Sequence, residues 1–214
     1  MKNQQRQTKA IVRRRFLGRM PKGGLVVEIG VWKGEFSRAL LNILKPEKLI
    51  LIDPWAHVAE DSHAEAFAAR TGAEKMDRIH KAVCDRYKDE IESGKVEIAR
   101  DFSVPVIGAM EDESISFAYV DGDHSYDGVK SDLAALFPKM RFGGVIGFDD
   151  YHRRGWWGDD VLAAVNEFVG ANPKAVRIRA VEGAQIAIEK IPPLAEAAEA
   201  RHEAMAPAAE ALDG

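Results

Sequence analysis

Two short apolar runs in this chain each end in a pair of acids, and that repetition restricts the fold more than any other feature. The first is Ser116-Phe-Ala-Tyr-Val-Asp-Gly-Asp-His124, carrying Asp121 and Asp123; the second is Gly143-Gly-Val-Ile-Gly-Phe-Asp-Asp-Tyr151, carrying Asp149 and Asp150. Phe117–Val120 and Val145–Phe148 have the length and flanks of buried strands. In an open α/β sheet, neighbouring strand ends face one crevice, and ligands bind there. Carboxylates crowded into it repel one another unless a cation joins them, so the pattern points to a hard divalent metal. For any single aspartate the alternative is a helix cap or a loop acid.

The rest of the chain alternates strand and helix signals. Leu25–Ile29 reads as the first strand, entered through the turn Pro21-Lys-Gly-Gly24. The spacing of Phe36, Ala39, Leu40, Ile43 and Leu44 predicts a helix over 34–44, stopped before Pro46. Lys48–Ile52 is the second strand, residues 56–93 are mostly helical by composition with a break at Gly72, and 96–100 is the third strand. Residues 115–120 form the fourth strand, 125–140 a helix, 144–148 the fifth strand and 161–169 a helix. Strands at 175–181 and 184–189 close the chain, with so short a link at Glu182-Gly183 that they must run antiparallel. The expected fold is a Rossmann-like doubly wound sheet of seven strands, mainly parallel, with a C-terminal antiparallel hairpin and helices on both faces. A basic helix over 1–21 precedes the domain at 22–191, and an Ala/Glu-rich tail over 192–214, frayed or disordered, follows it.

A chain of 214 residues fits one domain, and 46% hydrophobic with 30% charged residues is typical of a soluble globular protein. No run approaches a membrane span and no secretory stretch leads the chain. The single cysteine, Cys84, excludes an internal disulfide, fits a reducing cytoplasm and reads as a packing residue of a helix. A net charge of −4 argues against a general nucleic-acid binder. The charge is uneven, however: residues 1–22 hold Lys2, Arg6, Lys9, Arg13, Arg14, Arg15, Arg19 and Lys22 and no acid. Such a head can attract phosphates, an acidic partner or a second subunit of a homo-oligomer; a solvated leading helix is the simpler reading.

The first strand–helix turn, Val27-Glu-Ile-Gly-Val-Trp-Lys-Gly34, places Gly30 and Gly34 four positions apart. It is neither the dinucleotide Gly-x-Gly-x-x-Gly nor a phosphate loop. Glu28 would repel a pyrophosphate and suits a ligand with a cationic group. Asp53, at the end of the second strand, can hold a ribose diol. Trp55 beside it is either an apolar pocket wall or a core residue.

Taken with Ile52-Asp-Pro-Trp55, Val120-Asp-Gly-Asp-His-Ser-Tyr126 and Gly143–Tyr151, this turn makes the chain resemble a class I S-adenosylmethionine-dependent methyltransferase over about residues 22–190. More narrowly it is similar to the group of macrocin-type sugar O-methyltransferases and cephalosporin-hydroxylase-like proteins. The resemblance implies that Glu28, Gly30 and Gly34 line the methionine half of the cofactor and that Ser37 touches its carboxylate. It also implies that Asp53 holds the ribose and that Asp101 and Phe102 flank the adenine, with Asp121 also facing the cofactor. It further implies a magnesium ion on Asp121, Asp149 and Asp150, with Asp149 following Asp121 by 28 positions, as in the metal-dependent enzymes of this fold. Such an ion would lower the pKa of a substrate hydroxyl and orient the alkoxide. Asp123 rivals Asp121 as the ligand. The chain departs from the group in having Asp149-Asp150-Tyr151 where many relatives have His-Asp-Tyr.

His124 and His152 are candidate general bases, with an ordinary pKa of about 6.5, and Asp121 stands beside them. His57, His63 and His80 match no metal motif and read as solvated or packing residues. The segment after the second strand and Trp156-Trp157 can close over the crevice, or the tryptophans can pack the helix that follows. The expected activity is O-methyl transfer to a small-molecule acceptor, a sugar or a secondary metabolite. The alternatives are an accessory protein that keeps the pocket without methylating, or a metal-independent transferase using His124 alone.

Overall fold

The computed structural model describes residues 2–56, 72–155 and 157–193, with side chains from residue 9 onward. The expectations for His57, His63, Trp156, most of the Ala/Glu-rich tail and the helical segment before Gly72 lie outside these residues. Helix α1 (Lys2–Gly18) leads into β1 (Leu25–Ile29), α2 (Glu35–Leu44) and β2 (Lys48–Ile52). Then come α3 (Ala73–Arg86), α4 (Lys88–Glu92), β3 (Val96–Ala99), α5 (Ser103–Gly108) and β4 (Ile115–Val120). Helix α6 (Tyr126–Lys139), β5 (Met140–Phe148), α7 (Asp160–Ala171), β6 (Val176–Glu182) and β7 (Gln185–Lys190) complete the order. None of the described helices is long and apolar enough to cross a membrane.

The seven strands form one sheet in the order β3-β2-β1-β4-β5-β7-β6. The first five are mutually parallel, and β7 runs antiparallel to both β5 and β6, as the short final link requires. All six residues of β4 are buried, as a central strand covered on both faces demands. Alternate side chains of β1 and β4 feed two cores. Val27, Ile29, Ala118 and Val120 meet Val129, Leu133 and Leu136 of α6 and Val161 and Val165 of α7. Val26, Phe117 and Tyr119 meet Leu40 and Leu44 of α2, Met76 and Val83 of α3, and Phe16 and Leu17 of α1.

Register is what builds the crevice. Ile29 lies opposite both Ile52 and Val120, and Val120 lies opposite Phe148. The ladder continues one residue further: Gly30 N–H donates to Ile52 O (3.0 Å), Asp53 to Ala99 (3.2 Å), Asp121 to Ile29 (2.9 Å) and Asp149 to Val120 (3.0 Å). Four motifs distant in sequence therefore end on one rim.

Helix α1 departs from the solvated reading. Phe16 and Leu17 are fully buried and Met20 nearly so. Gly147 leaves room for Phe16, since a Cβ there would come within 3.1 Å of its Cε1. Arg15 and Arg19 pair with Glu182, and the Arg179 guanidinium donates to the Arg19 carbonyl. Phe16, Leu17 and Met20 of this segment thus share the core of the domain. Their apolar stripe is short and broken by arginines, so it carries little periodic signal. Strand β5 begins at Met140, earlier than the apolar run at 144–148, because Met140 pairs with Ile115 across a register shift. Helix α5 was not expected; it is one short turn with Pro105 near its start, where a missing N–H costs nothing.

Candidate active site at the strand ends

The loop after β1 is drawn tightly onto the rim. Gly30 has φ +83°, and a Cβ on it would fall 2.1 Å from the Asp121 carbonyl oxygen, so no larger residue fits. Gly34 also lies at positive φ and receives the Tyr87 hydroxyl on its carbonyl (2.5 Å). Asp53 stitches this loop to the next: Oδ2 accepts from Trp32 N–H (2.9 Å) and Oδ1 from Trp55 N–H (2.7 Å). Burial pushes the Asp53 carboxyl up, while these amides hold it down. Trp55 is fully buried, its indole N–H donates to Trp32 O (2.8 Å), and it packs on His80. Of the two readings of Trp55, the structure takes the core residue. Trp32, Trp55 and Asp150 all hold left-handed backbone, so strain gathers at this rim.

Glu28 is 1% exposed and its Oε2 has no hydrogen-bond partner. Burial raises it to about 8; Asp121 and Asp53 add to the rise, while the Ser37 hydroxyl and Arg13 oppose it. A buried, partnerless carboxyl oxygen fits an incoming cationic group, such as the ammonium of a methionine-like ligand. Ser37, on the first turn of α2, is buried beside it. Further along the rim, the Phe102 ring is 57% exposed and Asp101 accepts from Phe102 N–H (2.7 Å). The next residue, Ser103, donates to Asp132, a buried acid raised to about 6 by burial. Asp132 was missed from sequence; its signal was an acid on the apolar face made by Val129, Leu133 and Leu136.

The four acids do not act alike. Asp123 Oδ1 accepts from Ser125 N–H (2.8 Å) and its carboxyl sits where a Cβ on Gly128 would lie. It starts α6, whose cap is Ser125 itself, accepting from Gly128 N–H. Asp121 is the one that enters the crevice. There, Asp121, His124 and Asp150 can each offer one ligand atom within 4.8 Å of the others. Two carboxylates and an imidazole suit a divalent cation. Asp149, also expected in the metal set, is buried and divides its oxygens: Gln185 Nε2 donates to Oδ1 (2.6 Å), while Oδ2 faces the same cations as Asp121 and Asp150.

Cations from α1 reach the same acids. Arg13 Nη2 lies 2.8 Å from Asp121 Oδ2 and also pairs with Asp149 Oδ2. Lys9 Nζ lies 3.0 Å from Asp149 Oδ2 and 3.4 Å from Asp150 Oδ1. The Arg13 guanidinium lies over the rings of Phe36 (5.0 Å) and Tyr119 (5.9 Å). Sequence reasoning identified the basic head but assigned neither residue to the site, because nothing local ties α1 to strands a hundred residues away.

His124 Nε2 is 3.0 Å from Asp150 Oδ2 and 3.6 Å from Asp121 Oδ1. Burial works against its charge, but the hydrogen bonds and charges of Asp121 and Asp150 win and raise it to about 9. In this arrangement it is an imidazolium at neutral pH, which alters the expectation of an ordinary base. His152 is more exposed, with Nε2 3.9 Å from Asp150 Oδ1. The Trp157 ring lies 5.0 Å from both imidazoles and is 6% exposed, so it packs against the core and braces the histidines.

A family model for a methyltransferase domain matches residues 27–151, more than half of the chain. A protein of Acanthamoeba polyphaga mimivirus is 25% identical over 143 residues, covering 67% of this chain and 58% of the relative. The chain thus spans somewhat over half the length of that relative. Among solved structures, the O-methyltransferase NovP is similar with a TM-score of 0.61 and 16% identity, over 85% of this chain and 81% of that one. An rRNA methylase from Streptococcus thermophilus gives a TM-score of 0.54 at 14% identity, over 84% and 95% of the two chains. A Streptococcus mutans protein in complex with SAH gives 0.55 at 12% identity, over 85% and 97%. At these identities the structural likeness shows the fold.

Proposed function

The chain belongs to the methyltransferase-domain family, and on that premise we propose that it is a class I S-adenosylmethionine-dependent methyltransferase that methylates a hydroxyl of a small acceptor, a sugar or a secondary metabolite. This is the chemistry of the macrocin-type group its motifs resemble. The supporting observation is that the acid–imidazole group Asp121–His124–Asp150 shares one strand-end rim with the partnerless Glu28 oxygen. Bound S-adenosylmethionine supplies an electrophilic methyl group. Around it Glu28 takes the ammonium, Gly30 and Gly34 let the backbone approach, and Ser37 meets the carboxylate. Asp53 offers the ribose the lone pairs its two amides leave over, and Asp101 and Phe102 flank the adenine. Holding the acceptor in line with the methyl carbon supplies much of the rate. His124 holds its proton between Asp150 and Asp121 and must release it before it can take one from an acceptor hydroxyl.

Magnesium or a similar ion would be held by Asp121 and Asp150, with His124 or Asp149 completing the set, and there it would acidify the acceptor hydroxyl. A metal-independent reaction is the second reading, favoured by the pairing of Asp121, Asp149 and Asp150 with Arg13 and Lys9.

Calorimetric titration with S-adenosylhomocysteine, with and without magnesium, tests the cofactor pocket; binding abolished in Asp53→Ala is the expected result. Labelled methyl transfer to hydroxylated sugars and catechols, with and without EDTA, then separates the two readings. Cofactor binding without transfer to any hydroxyl acceptor would favour an accessory role instead.

A further inference from the structure

We propose that Arg13 and Lys9 are the resident counter-cations of the acidic rim, and that they compete with a divalent cation for it. The inference rests on the reading of Asp121, Asp149 and Asp150 as the acids that face the reaction. Their side chains are 23%, 0% and 14% exposed, so none can remain charged without a partner. Arg13 bridges Asp121 and Asp149, and Lys9 bridges Asp149 and Asp150. Two fixed positive charges on three carboxylates reproduce the charge of one divalent ion and touch the same acids. An ion added without their withdrawal would place four positive charges, or five with the His124 imidazolium, against three negative ones within a few ångströms.

Helix α1 is built to allow that withdrawal. Phe16, Leu17 and Met20 anchor its C-terminal end in the core. Towards the other end Lys9 is 48% exposed, Ala10 is exposed and Ile11 is 59% exposed, and the Lys9 contacts are ionic. The two side chains can therefore leave the acids while the apolar anchor stays in place. Arg13 is the harder to displace, because Phe36 and Tyr119 hold its guanidinium from one side. The consequence is a site whose affinity for divalent cations is set by the first helix.

The test is Mn²⁺ binding to the full chain, measured by electron paramagnetic resonance for wild type, Arg13→Gln, Lys9→Gln and Arg13→Lys. Arg13→Gln is expected to bind about tenfold more tightly than wild type, Lys9→Gln about threefold more tightly, and Arg13→Lys close to wild type. Equal or weaker binding in Arg13→Gln, or binding by neither protein, overturns the proposal. Should Arg13→Gln fail to fold, the half-exposed Lys9→Gln decides alone, and affinity equal to wild type overturns it. S-adenosylhomocysteine titration of the same samples keeps the questions apart: its loss in wild type counts against the cofactor pocket and leaves the Mn²⁺ comparison standing.

Discussion

Arg13 Nη2 stands 2.8 Å from Asp121 Oδ2, joining the first helix to the end of β4 across 108 positions of sequence. The same guanidinium reaches Asp149 at the end of β5 and lies over Phe36 at the start of α2. One side chain thus ties three motifs of the rim to an element outside the matched methyltransferase region. Helix α1 is a wall of the crevice as well as a cover for the sheet.

If α1 is part of the core, Phe16→Ala should cost about 3–5 kcal/mol, the usual penalty for emptying a fully buried aromatic site. Urea unfolding of the variant checks this. A loss under about 1 kcal/mol would mean that α1 is not docked in solution.

Glu28 makes cofactor binding depend on pH. An acid raised to about 8 stays protonated in the free protein at neutral pH. Pairing with a ligand ammonium needs the carboxylate, so binding releases a proton. Affinity for S-adenosylhomocysteine should rise with pH between about 6 and 8, by at most tenfold per unit, and then level off. Titrations in buffers of different ionisation enthalpy measure the proton released. Glu28→Gln should bind more weakly and show no such slope; a slope that survives in it would remove Glu28 from the role.

Gly30→Ala should be among the most damaging small changes in the chain. The new Cβ meets the backbone of Asp121, which cannot swing aside, and φ +83° is strained for any L-residue. A loss of about 2–4 kcal/mol is expected, together with loss of S-adenosylhomocysteine binding. Retention of wild-type affinity would show that the loop adopts another path.

Asp132 gives a stability test with a definite sign. Burial raises it to about 6 from an ordinary 3.8, so the folded state favours its protonated form. Its contribution is therefore intact below about 3.8 and is lost as pH climbs towards 6. Asp132→Asn keeps an acceptor for Ser103 and cannot ionise. Relative to wild type, the variant should gain stability between pH 4 and 7, by up to about 3 kcal/mol. Urea midpoints at the two pH values measure it, and a difference that does not move with pH refutes the assignment.

Much of the site was legible because it is written in strand ends. β1, β2 and β4 match their apolar runs, and parallel pairing aligns their last residues. Gly30, Asp53, Asp121 and Asp149 could thus be placed on one rim before any contact was known. The start of α6 at Ser125 was likewise legible, although the separation of Asp123 from Asp121 needed the turn itself.

What the sequence by itself determined is the fold and the rim, since periodic burial, turn residues and backbone hydrogen bonds are local and leave a local pattern. Tertiary structure alone decided the charge state of the rim. Arg13 and Lys9 came to Asp121, Asp149 and Asp150, Gln185 took one oxygen of Asp149, and two carboxylates held a proton on His124. Ion pairing and desolvation depend on distance through space, and residues far apart in the chain carry no mark of it.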